Sequence, residues 1–407
     1  MIIKREQYLS LLRQLKDKNL IKVITGIRRC GKSTLLQMFA DELRTCGVKP
    51  QNITFINFEE RENLHLTDWA KLHDEITSKA QPDSMNYIFL DEVQMVDQFE
   101  RLVGSLFVKK NIDLYITGSN AFLLSGELAT LLTGRYISTN ILPLSFIEYA
   151  QLFPEKSYDD LLRQYLNNSS LPEAAILLKD APNLVNNYLR DIYETVLNKD
   201  IKNRHQIRDM ANFNKVLRFT LDSIGSFVSA GRIADSLNQN KTTTGKPISN
   251  KTAVNYLRYL TDSFVLYKVD RYDIKGKNLL KTQDKYFVVD LGLRSALVSG
   301  SVEVDLGHKL ENLVYLELRR RNRGNIWVGK VDDSEVDFMV QNPAGERKYY
   351  QVAWTAYSSE IIARELRPFS RVRDHYQKFL ITADPDNTNY NGVRKINIID
   401  WLTAEHA

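Results

Sequence analysis

The segment from Gly26 to Thr34 combines glycines, a lysine and hydroxyl side chains at spacings that suit phosphate binding. It consists of Gly26, Ile27, Arg28, Arg29, Cys30, Gly31, Lys32, Ser33 and Thr34. The two glycines allow backbone N–H groups to close on phosphate oxygens. Lys32 can bridge the β- and γ-phosphates of a nucleotide, and the Ser33 hydroxyl can ligate Mg²⁺. The spacing therefore predicts a loop that binds ATP together with Mg²⁺.

Two adjacent carboxylates, Asp91 and Glu92, end an apolar segment downstream of this loop. Asp91 is predicted to hold Mg²⁺ directly or through water. Glu92 is predicted to orient and polarise the attacking water, a role that indicates hydrolysis rather than transfer to a metabolite. Acidic residues also end strands as solvated turns, but their position after a phosphate loop favours the catalytic interpretation.

Ser119 and Asn120 follow a third apolar segment, 112–117. Ligands bind beyond the carboxyl ends of strands in parallel sheets, so either side chain could contact the γ-phosphate or the water. Each could equally cap the next helix, and both roles can coexist.

Arg135 precedes a further predicted strand. An arginine from a neighbouring subunit can stabilise charge in phosphoryl transfer. The alternative is a surface arginine at the start of a strand.

The elements that must position these groups are visible in the pattern. Residues 20–25 form a β-branched strand that runs directly into glycine, and 34–43 carry apolar residues at helical spacing. This order of strand, glycine loop and helix is the context that a phosphate loop requires.

Composition is that of an ordinary folded protein. The chain has 407 residues, 43% of them hydrophobic and 26% charged. These values exclude wholesale disorder, and the length favours more than one domain. We predict three parts at 1–153, 154–300 and 301–407, with linkers near 153–157 and 298–301, where small and polar residues cluster.

Several features favour a cytoplasmic protein. The chain starts with charged residues too early for a signal peptide, and no apolar run is long enough to span a membrane. Cys30 and Cys46 are the two cysteines. A disulfide at Cys30 would stiffen the phosphate loop, so reduced thiols are expected.

Five segments together resemble the bacterial and archaeal ATPases that join an AAA+-type module to the domain of unknown function 4143. They are 26–34, 90–94, 117–121, 133–136 and 143–149. The resemblance implies an ASCE-type sheet and a role for Arg135 as an arginine finger. It also implies a Gly-Gly-Leu-Pro turn in a lid, where this chain has Ser169, Ser170, Leu171 and Pro172.

Residues 213–281 resemble a winged helix, with 250–260 as the candidate recognition helix. Between positions 241 and 281 the sequence contains nine basic residues and three aspartates. The local charge is therefore +6, in a chain whose net charge is +5. The nine are Lys241, Lys246, Lys251, Arg258, Lys268, Arg271, Lys275, Lys277 and Lys281. This asymmetry favours binding to DNA phosphates without sequence readout. The alternative is a basic face on a protein-docking module.

Residues 307–383 are similar to the PD-(D/E)XK nuclease core, with Glu311, Asp337 and Gln351 as the candidate site. Active members carry a lysine two residues beyond the last of these, on the same strand face. This chain has Ala353 there. We therefore expect a degenerate nuclease-like domain that serves in partner binding or assembly.

The predicted fold is α/β. It combines a P-loop ASCE ATPase domain containing a parallel sheet, a helical lid with a winged helix, and a C-terminal restriction-endonuclease-like domain. The predicted function is ATP hydrolysis coupled to conformational change or assembly on DNA, in a homo-oligomer. The alternative is a regulatory switch that hydrolyses nucleotide slowly and signals to a protein partner.

Overall fold

A computed structural model describes residues 2–124, 134–239, 247–298 and 306–404. The chain divides into two compact units. The first, unit 1, comprises the described residues of 1–143 with 262–264, and the second, unit 2, comprises those of 144–261 and 265–407. No helix among the described residues combines the length and the apolar character needed to cross a bilayer.

Unit 1 alternates strands and helices. Its elements are α1 (Glu6–Leu15), β1 (Ile21–Thr25), α2 (Lys32–Thr45), β2 (Ile53–Asn57), α3 (Trp69–Lys79), β3 (Asn86–Asp91), α4 (Phe99–Phe107), β4 (Ile112–Gly118) and β5 (Tyr136–Asn140). The strand order is β2-β3-β4-β1-β5, and all neighbours are parallel. β4 thus separates the strand before the phosphate loop from the strand that ends in Asp91, as the ASCE resemblance implies.

The register of the strands brings their carboxyl ends to one edge of the sheet. Thr25 pairs with Gly118, the last residues of β1 and β4, and Leu90 pairs with Ile116, one residue before the end of β3 and two before the end of β4. β1 and β3 are buried along their whole length because helices cover the sheet. One face packs on an apolar core that includes Val23, Leu72 and Leu102.

Unit 2 begins with helices and ends with a mixed α/β region. Its helices are α5 (Phe146–Ala150), α6 (Tyr158–Asn167), α7 (Pro172–Asp180), α8 (Val185–Thr195), α9 (Met210–Asp222), α10 (Ala230–Gln239), α11 (Asn250–Asp262), α12 (Leu291–Leu297), α13 (Leu306–Arg321), α14 (Ser359–Arg371) and α15 (Ile398–Thr403). A π-helical segment, Val196–Lys202, and a short turn of helix, Asn203–His205, follow α8.

The strands of unit 2 form a single sheet of nine. They are β6 (Phe227–Val228), β7 (Leu266–Asp273), β8 (Asn278–Val288), β9 (Asn325–Val331), β10 (Ser334–Gln341), β11 (Arg347–Ala353), β12 (Gln377–Thr382), β13 (Asn389–Tyr390) and β14 (Val393–Asn397). Their order is β13-β14-β12-β11-β10-β9-β7-β8-β6. The β7–β8 hairpin is antiparallel, and β7 pairs in parallel with β9 at Tyr272 and Gly329.

This sheet crosses the position at which we divide the sequence into its second and third parts. The hairpin of the basic segment and the strands of the nuclease-like segment share main-chain hydrogen bonds, which composition does not reveal. The boundary between unit 1 and unit 2 lies at residues 143 and 144. This is earlier than the linker expected at 153–157, so α5 belongs to unit 2. Part of the expected second linker, 299–301, lies outside the described residues, as do Lys241 and Lys246.

Candidate functional sites

The phosphate loop occupies the turn between β1 and α2. Gly26 has a φ of 151°, and a Cβ there would lie 2.4 Å from the carbonyl oxygen of Ile141. Gly31 caps α2 in the left-handed region, with a φ of 99°. Side chains at either position would strain or block the turn, which explains the two glycines. Within the loop Ile27 and Cys30 are buried, whereas Arg29, Ser33 and Thr34 are exposed.

Lys32 is buried at the start of α2, with only 4% of its surface exposed. Its Nζ donates to the carbonyl oxygens of Gly26 at 3.1 Å and Ile27 at 3.2 Å. It also lies 3.6 Å from Glu92 Oε1. The ammonium group therefore stands inside the loop that would surround a phosphate, where a cation is most useful.

Asp91 ends β3 and is bonded to two hydroxyl groups. Thr117 Oγ1 donates to Asp91 Oδ1 at 2.6 Å, and Ser33 also donates to the Asp91 carboxylate. Burial raises the pKa of Asp91 above its ordinary value, against the effect of these two hydrogen bonds. A serine hydroxyl beside a carboxylate is an oxygen donor set that suits Mg²⁺. Ser33 and Asp91 thus lie together as the sequence predicts.

Glu92 adopts the left-handed conformation, with a φ of 57°, which is uncommon outside glycine. Its N–H donates to Thr117 Oγ1 at 2.9 Å, and its side chain contacts Lys32, Gln94 and Ser119. Burial would raise the pKa of Glu92, but Lys32 and the Gln94 hydrogen bond hold that pKa below its ordinary value. The carboxylate is therefore in its charged form, the form required of a base.

Ser119 and Asn120 follow β4 at the same edge of the sheet, and both are buried. Ser119 donates a hydrogen bond to the Glu92 carboxylate. Ser119 and Asn120, which follow β4, therefore lie beside the carboxylates at the end of β3, because parallel strands bring their carboxyl ends to one edge of the sheet. Their roles as sensors of phosphate or water stay a prediction.

Two residues of this site were missed by the sequence reasoning. Thr117 bridges Asp91 and Glu92, and the sequence suggests it only as the last residue of an apolar strand. Arg5 is 4% exposed and donates to the carbonyl oxygens of Cys30 at 3.2 Å and Leu142 at 2.9 Å. It connects the phosphate loop to the chain after β5, and no local pattern indicates this long-range contact.

Arg135 lies at the opposite edge of the sheet from the phosphate loop. It immediately precedes β5, and Tyr136 pairs with Ile21 at the start of β1. β1 has five residues, so the loop lies about 15 Å further along the strand at about 3.3 Å per residue. The exposed guanidinium group lies 5.7 Å from the Phe107 ring centroid. Arg135 is thus remote from its own phosphate loop, and action on a neighbouring chain stays a prediction.

The serines that replace the expected glycines of the lid are engaged in unit 2. Ser170 N and Oγ donate to Asp290 Oδ2 at 2.7 Å and 2.9 Å. Ser169 and Ser170 are both buried. In this chain the turn therefore has a structural partner, the Asp290 carboxylate at the start of α12.

The nuclease-like residues of unit 2 also come together. Asp337 N donates to Gln351 Oε1 at 3.4 Å, and Val352 N donates to Asp337 Oδ2 at 2.8 Å. Glu311, on α13, faces the same place through its contact with Lys285. Glu311, Asp337 and Gln351 therefore lie together, on α13, β10 and β11, and their identity as a nuclease-like site stays a prediction.

Lys285, on β8, places a cation among these acidic side chains. Its Nζ lies 2.8 Å from Glu311 Oε1 and 3.9 Å from Asp337 Oδ1, and it also pairs with Glu335. Burial would lower the pKa of Lys285, but the three carboxylates raise it above its ordinary value. Burial raises the pKa of Asp337 and of Glu311. The lysine that the sequence lacks at position 353 is thus not replaced on β11, but the fold brings Lys285 to the site from β8.

Lys285 was missed because it belongs to a strand distant in sequence. The signal is a lysine at the start of the apolar run Lys285–Val289, where a buried charge requires a partner.

In the described part of the chain, no group of three or more histidine, cysteine or acidic side chains is arranged to hold a metal ion.

Comparison with known families supports the prediction that unit 1 contains an AAA-type ATPase domain. A family model described as an AAA domain matches residues 18–150. A second model, a domain of unknown function (DUF8612), matches residues 159–303. The second differs from the domain named in the resemblance above, so that name and the nuclease-like identity of the C-terminal region stay predictions.

Two relatives match along almost the whole chain. An uncharacterized protein of Haemophilus influenzae is 37% identical over 408 residues, covering 98% of each chain. An uncharacterized protein of Methanocaldococcus jannaschii is 29% identical, covering 94% of this chain and 85% of its own.

Among solved structures, a Walker-type ATPase of Pyrococcus abyssi has a similar fold. Its TM-score is 0.51 at 15% identity, and the match covers 73% of this chain and 96% of that one. The family model, this fold and the geometry around Lys32 agree on an AAA-type P-loop module. The chain belongs to the same family as the Haemophilus influenzae protein, and its residues 18–150 match the AAA-domain family model.

Proposed function

We propose that this protein hydrolyses ATP and couples the nucleotide cycle to conformational change or assembly on DNA. The observation that carries the proposal is the convergence of Lys32, Ser33, Asp91 and Glu92 at one edge of the parallel sheet of unit 1. Hydrolysis needs a charged base beside the phosphates, and Glu92 provides it.

Each residue has a distinct task in this proposal. The loop N–H groups and Lys32 bind the phosphates, and Lys32 exchanges its carbonyl partners for phosphate oxygens. Ser33 and Asp91 would hold Mg²⁺, which when bound neutralises phosphate charge. Glu92 orients water and accepts its proton, while Thr117 fixes the positions of Asp91 and Glu92.

DNA is the proposed partner because of the basic segment in unit 2. Helices α9, α10 and α11 with strands β6, β7 and β8 follow one another in the order of a winged helix. Lys251 and Arg258 are exposed on α11, the candidate recognition helix. Exposed cations on one helix favour phosphate contacts, which bind DNA without sequence preference.

The second candidate is a switch that hydrolyses nucleotide slowly and binds a protein partner. It is favoured by the contacts of Glu92, whose carboxylate is engaged by Lys32 and Gln94. A base held in this way must be released before it can accept a proton from water. The basic face of α11 would then dock a protein instead of DNA.

For the C-terminal region we propose a retained scaffold without nuclease activity. The Lys285 ammonium group occupies the centre of the Glu311, Glu335 and Asp337 carboxylates. Incubation of the purified protein with plasmid and linear DNA in Mg²⁺ or Mn²⁺ tests this. Cleavage that disappears in Asp337→Asn would overturn the scaffold role.

ATP turnover with and without DNA, measured while the assembly state is followed by light scattering, separates the two main candidates. Turnover that DNA stimulates supports the first. Slow turnover that does not respond to DNA supports the switch. Nucleotide binding without any hydrolysis by the wild-type protein would contradict the assignment of Glu92 as a base.

A further inference from the structure

Unit 2 contains a cleft of about 540 Å³ between the turn that joins β7 to β8 and the loop that follows α14. Five of its nine lining residues are cationic and one is acidic. We call it the basic cleft, and it is lined by Ile274, Lys275, Lys277, Arg347, Arg371, Val372, Arg373, Asp374 and Tyr376.

One wall of the basic cleft is a fixed turn. Asp273 Oδ1 accepts hydrogen bonds from the N–H groups of Lys275 at 3.0 Å and Gly276 at 2.9 Å. Ile274 is buried, and its N–H donates to the carbonyl oxygen of Lys330 at 2.9 Å. The two lysines of the turn are therefore presented from a backbone anchored on β9, so their main chain is ordered before any ligand arrives.

The opposite wall is anchored in a similar way. Lys378 Nζ donates to the carbonyl oxygens of Val372 at 3.2 Å and Asp374 at 3.4 Å. Tyr349 donates its hydroxyl to Asp374 Oδ2 at 2.5 Å. The carboxylate of Asp374, the acidic residue of the cleft, thus already accepts a hydrogen bond from Tyr349. Arg373 is exposed.

Charge in the basic cleft is only partly compensated. Lys275 Nζ pairs with Asp332 at 2.6 Å, and Arg371 pairs with Asp333. Among the described residues, no carboxylate lies within salt-bridge distance of the other three cations, Lys277, Arg347 and Arg373. Arg347 donates to the Tyr272 hydroxyl at 3.2 Å, a partner that leaves its charge uncompensated.

We propose that the basic cleft binds the phosphodiester backbone of duplex DNA. Three of its five cations are arginines, whose planar guanidinium groups match phosphate oxygens in pairs. The cleft shares the β7–β8 hairpin with the proposed winged helix, and in this proposal one duplex contacts both. The inference rests on the proposed DNA partner and extends it to the C-terminal region.

This assignment separates the exposed basic residues of the middle segment into two groups. Lys251 and Arg258 belong to α11, whereas Lys275 and Lys277 belong to the basic cleft with arginines from distant parts of the sequence. The pairing of β7 with β9 holds the turn between β7 and β8 beside Arg347 and Arg373.

The test compares three double variants of the full chain. Lys277→Ala with Arg373→Ala removes two cations of the cleft that form no salt bridge among the described residues, and Lys251→Ala with Arg258→Ala removes two from α11. Arg323→Ala with Lys348→Ala is the control, since both are exposed in the same unit and lie outside the cleft. Affinity for a fluorescent duplex of about twenty base pairs is measured by anisotropy from about 50 to 200 mM salt.

The cleft variant is expected to bind duplex about tenfold or more weakly near 0.1 M salt. The slope of log affinity against log salt should fall by about two, at about 0.9 per lost phosphate contact. The control should match the wild type in affinity, and basal ATP turnover should be unchanged in the cleft variant because its residues lie outside the ATP site.

Three other outcomes would overturn the inference. Wild-type affinity in the cleft variant, with loss in the α11 variant, leaves DNA as the partner and removes the cleft. Tighter binding of polyglutamate than of duplex, lost in the cleft variant, assigns the cleft to acidic peptides. Absence of duplex binding by the wild type at the lowest salt defeats the DNA partner itself, whereas the ATPase assignment would still stand on turnover.

Discussion

Lys32 Nζ lies 3.6 Å from Glu92 Oε1, so the phosphate-loop lysine and the proposed base are a buried ion pair. Both side chains are less than a tenth exposed. A nucleotide phosphate would compete with Glu92 for this ammonium group. ATP binding is therefore expected to release the Glu92 carboxylate, because both compete for the Lys32 ammonium group. Substitutions of Lys32 and of Glu92 test phosphate binding and water activation separately.

Lys32→Ala is expected to abolish ATP hydrolysis and to weaken ATP binding strongly. The substitution removes the main protein counter-ion of the β- and γ-phosphates. Binding of a fluorescent ATP analogue and phosphate release should be measured beside Lys49→Ala, an exposed lysine of the same unit. Near-normal turnover in folded Lys32→Ala would show that the ATP site lies elsewhere.

Glu92→Gln is expected to bind ATP and to hydrolyse it at least about a hundredfold more slowly, since an amide cannot accept the proton of water. Its affinity should equal or exceed that of the wild type because Lys32 loses a competing carboxylate. Single-turnover hydrolysis together with equilibrium binding separates the two effects. Wild-type turnover in this variant would assign water activation to another group.

Lys285→Ala is expected to destabilise unit 2 by about 3–5 kcal/mol, the usual effect of leaving buried carboxylates without their cation. Urea unfolding followed by tryptophan fluorescence suits this test, since Trp327, Trp354 and Trp401 lie in unit 2. Adding Glu311→Gln to Lys285→Ala should restore part of the loss. If the single variant unfolds at the wild-type urea concentration, the ion-pair cluster is not a stabilising element.

The stability of unit 2 is expected to fall as the pH rises above about 4, the ordinary pKa of an aspartate. Burial raises the pKa of Asp337, so the folded state binds more protons than the unfolded state in the window between the ordinary and the raised pKa. Stability then decreases with pH through that window. Asp337→Asn should flatten the dependence, whereas Asp191→Asn, at an exposed position, should not.

Measuring the urea midpoint at several pH values from about 4 to 8 checks this prediction. A midpoint with the same pH dependence in the wild type and in Asp337→Asn would mean that Asp337 does not hold a proton in the folded state.

Arg135 is expected to act on the ATP site of a neighbouring chain. It lies at the far edge of the sheet from its own phosphate loop, and an arginine finger can accelerate hydrolysis by about 10³-fold or more. Arg135→Ala alone should bind ATP and turn over slowly. Mixing it with Lys32→Ala should restore some activity, because an intact loop then meets an intact arginine.

The mixing experiment requires proof that the two variants assemble together, for example by pull-down of one through a tag on the other. A mixture that assembles and stays inactive would contradict the role in trans, as would normal turnover by Arg135→Ala. Arg135 would then be a structural residue packed on Phe107.

The sequence by itself determined the phosphate loop and the carboxylates at the end of β3. These features are local, because glycine conformations, the start of α2 and the end of a buried strand depend on neighbours along the chain. The order of strands and helices also follows from periodicity, and the pairing of strand ends then places Ser119 beside Glu92.

Only the tertiary structure decided the contacts of Arg5, Thr117 and Lys285. Arg5 and Lys285 are buried charges whose partners come from distant segments, and Thr117 connects two residues of a neighbouring strand. The same holds for the sheet that joins the hairpin β7–β8 to the strands from β9 onward. Such contacts depend on which strands become neighbours, and burial then makes a partner obligatory for each charge.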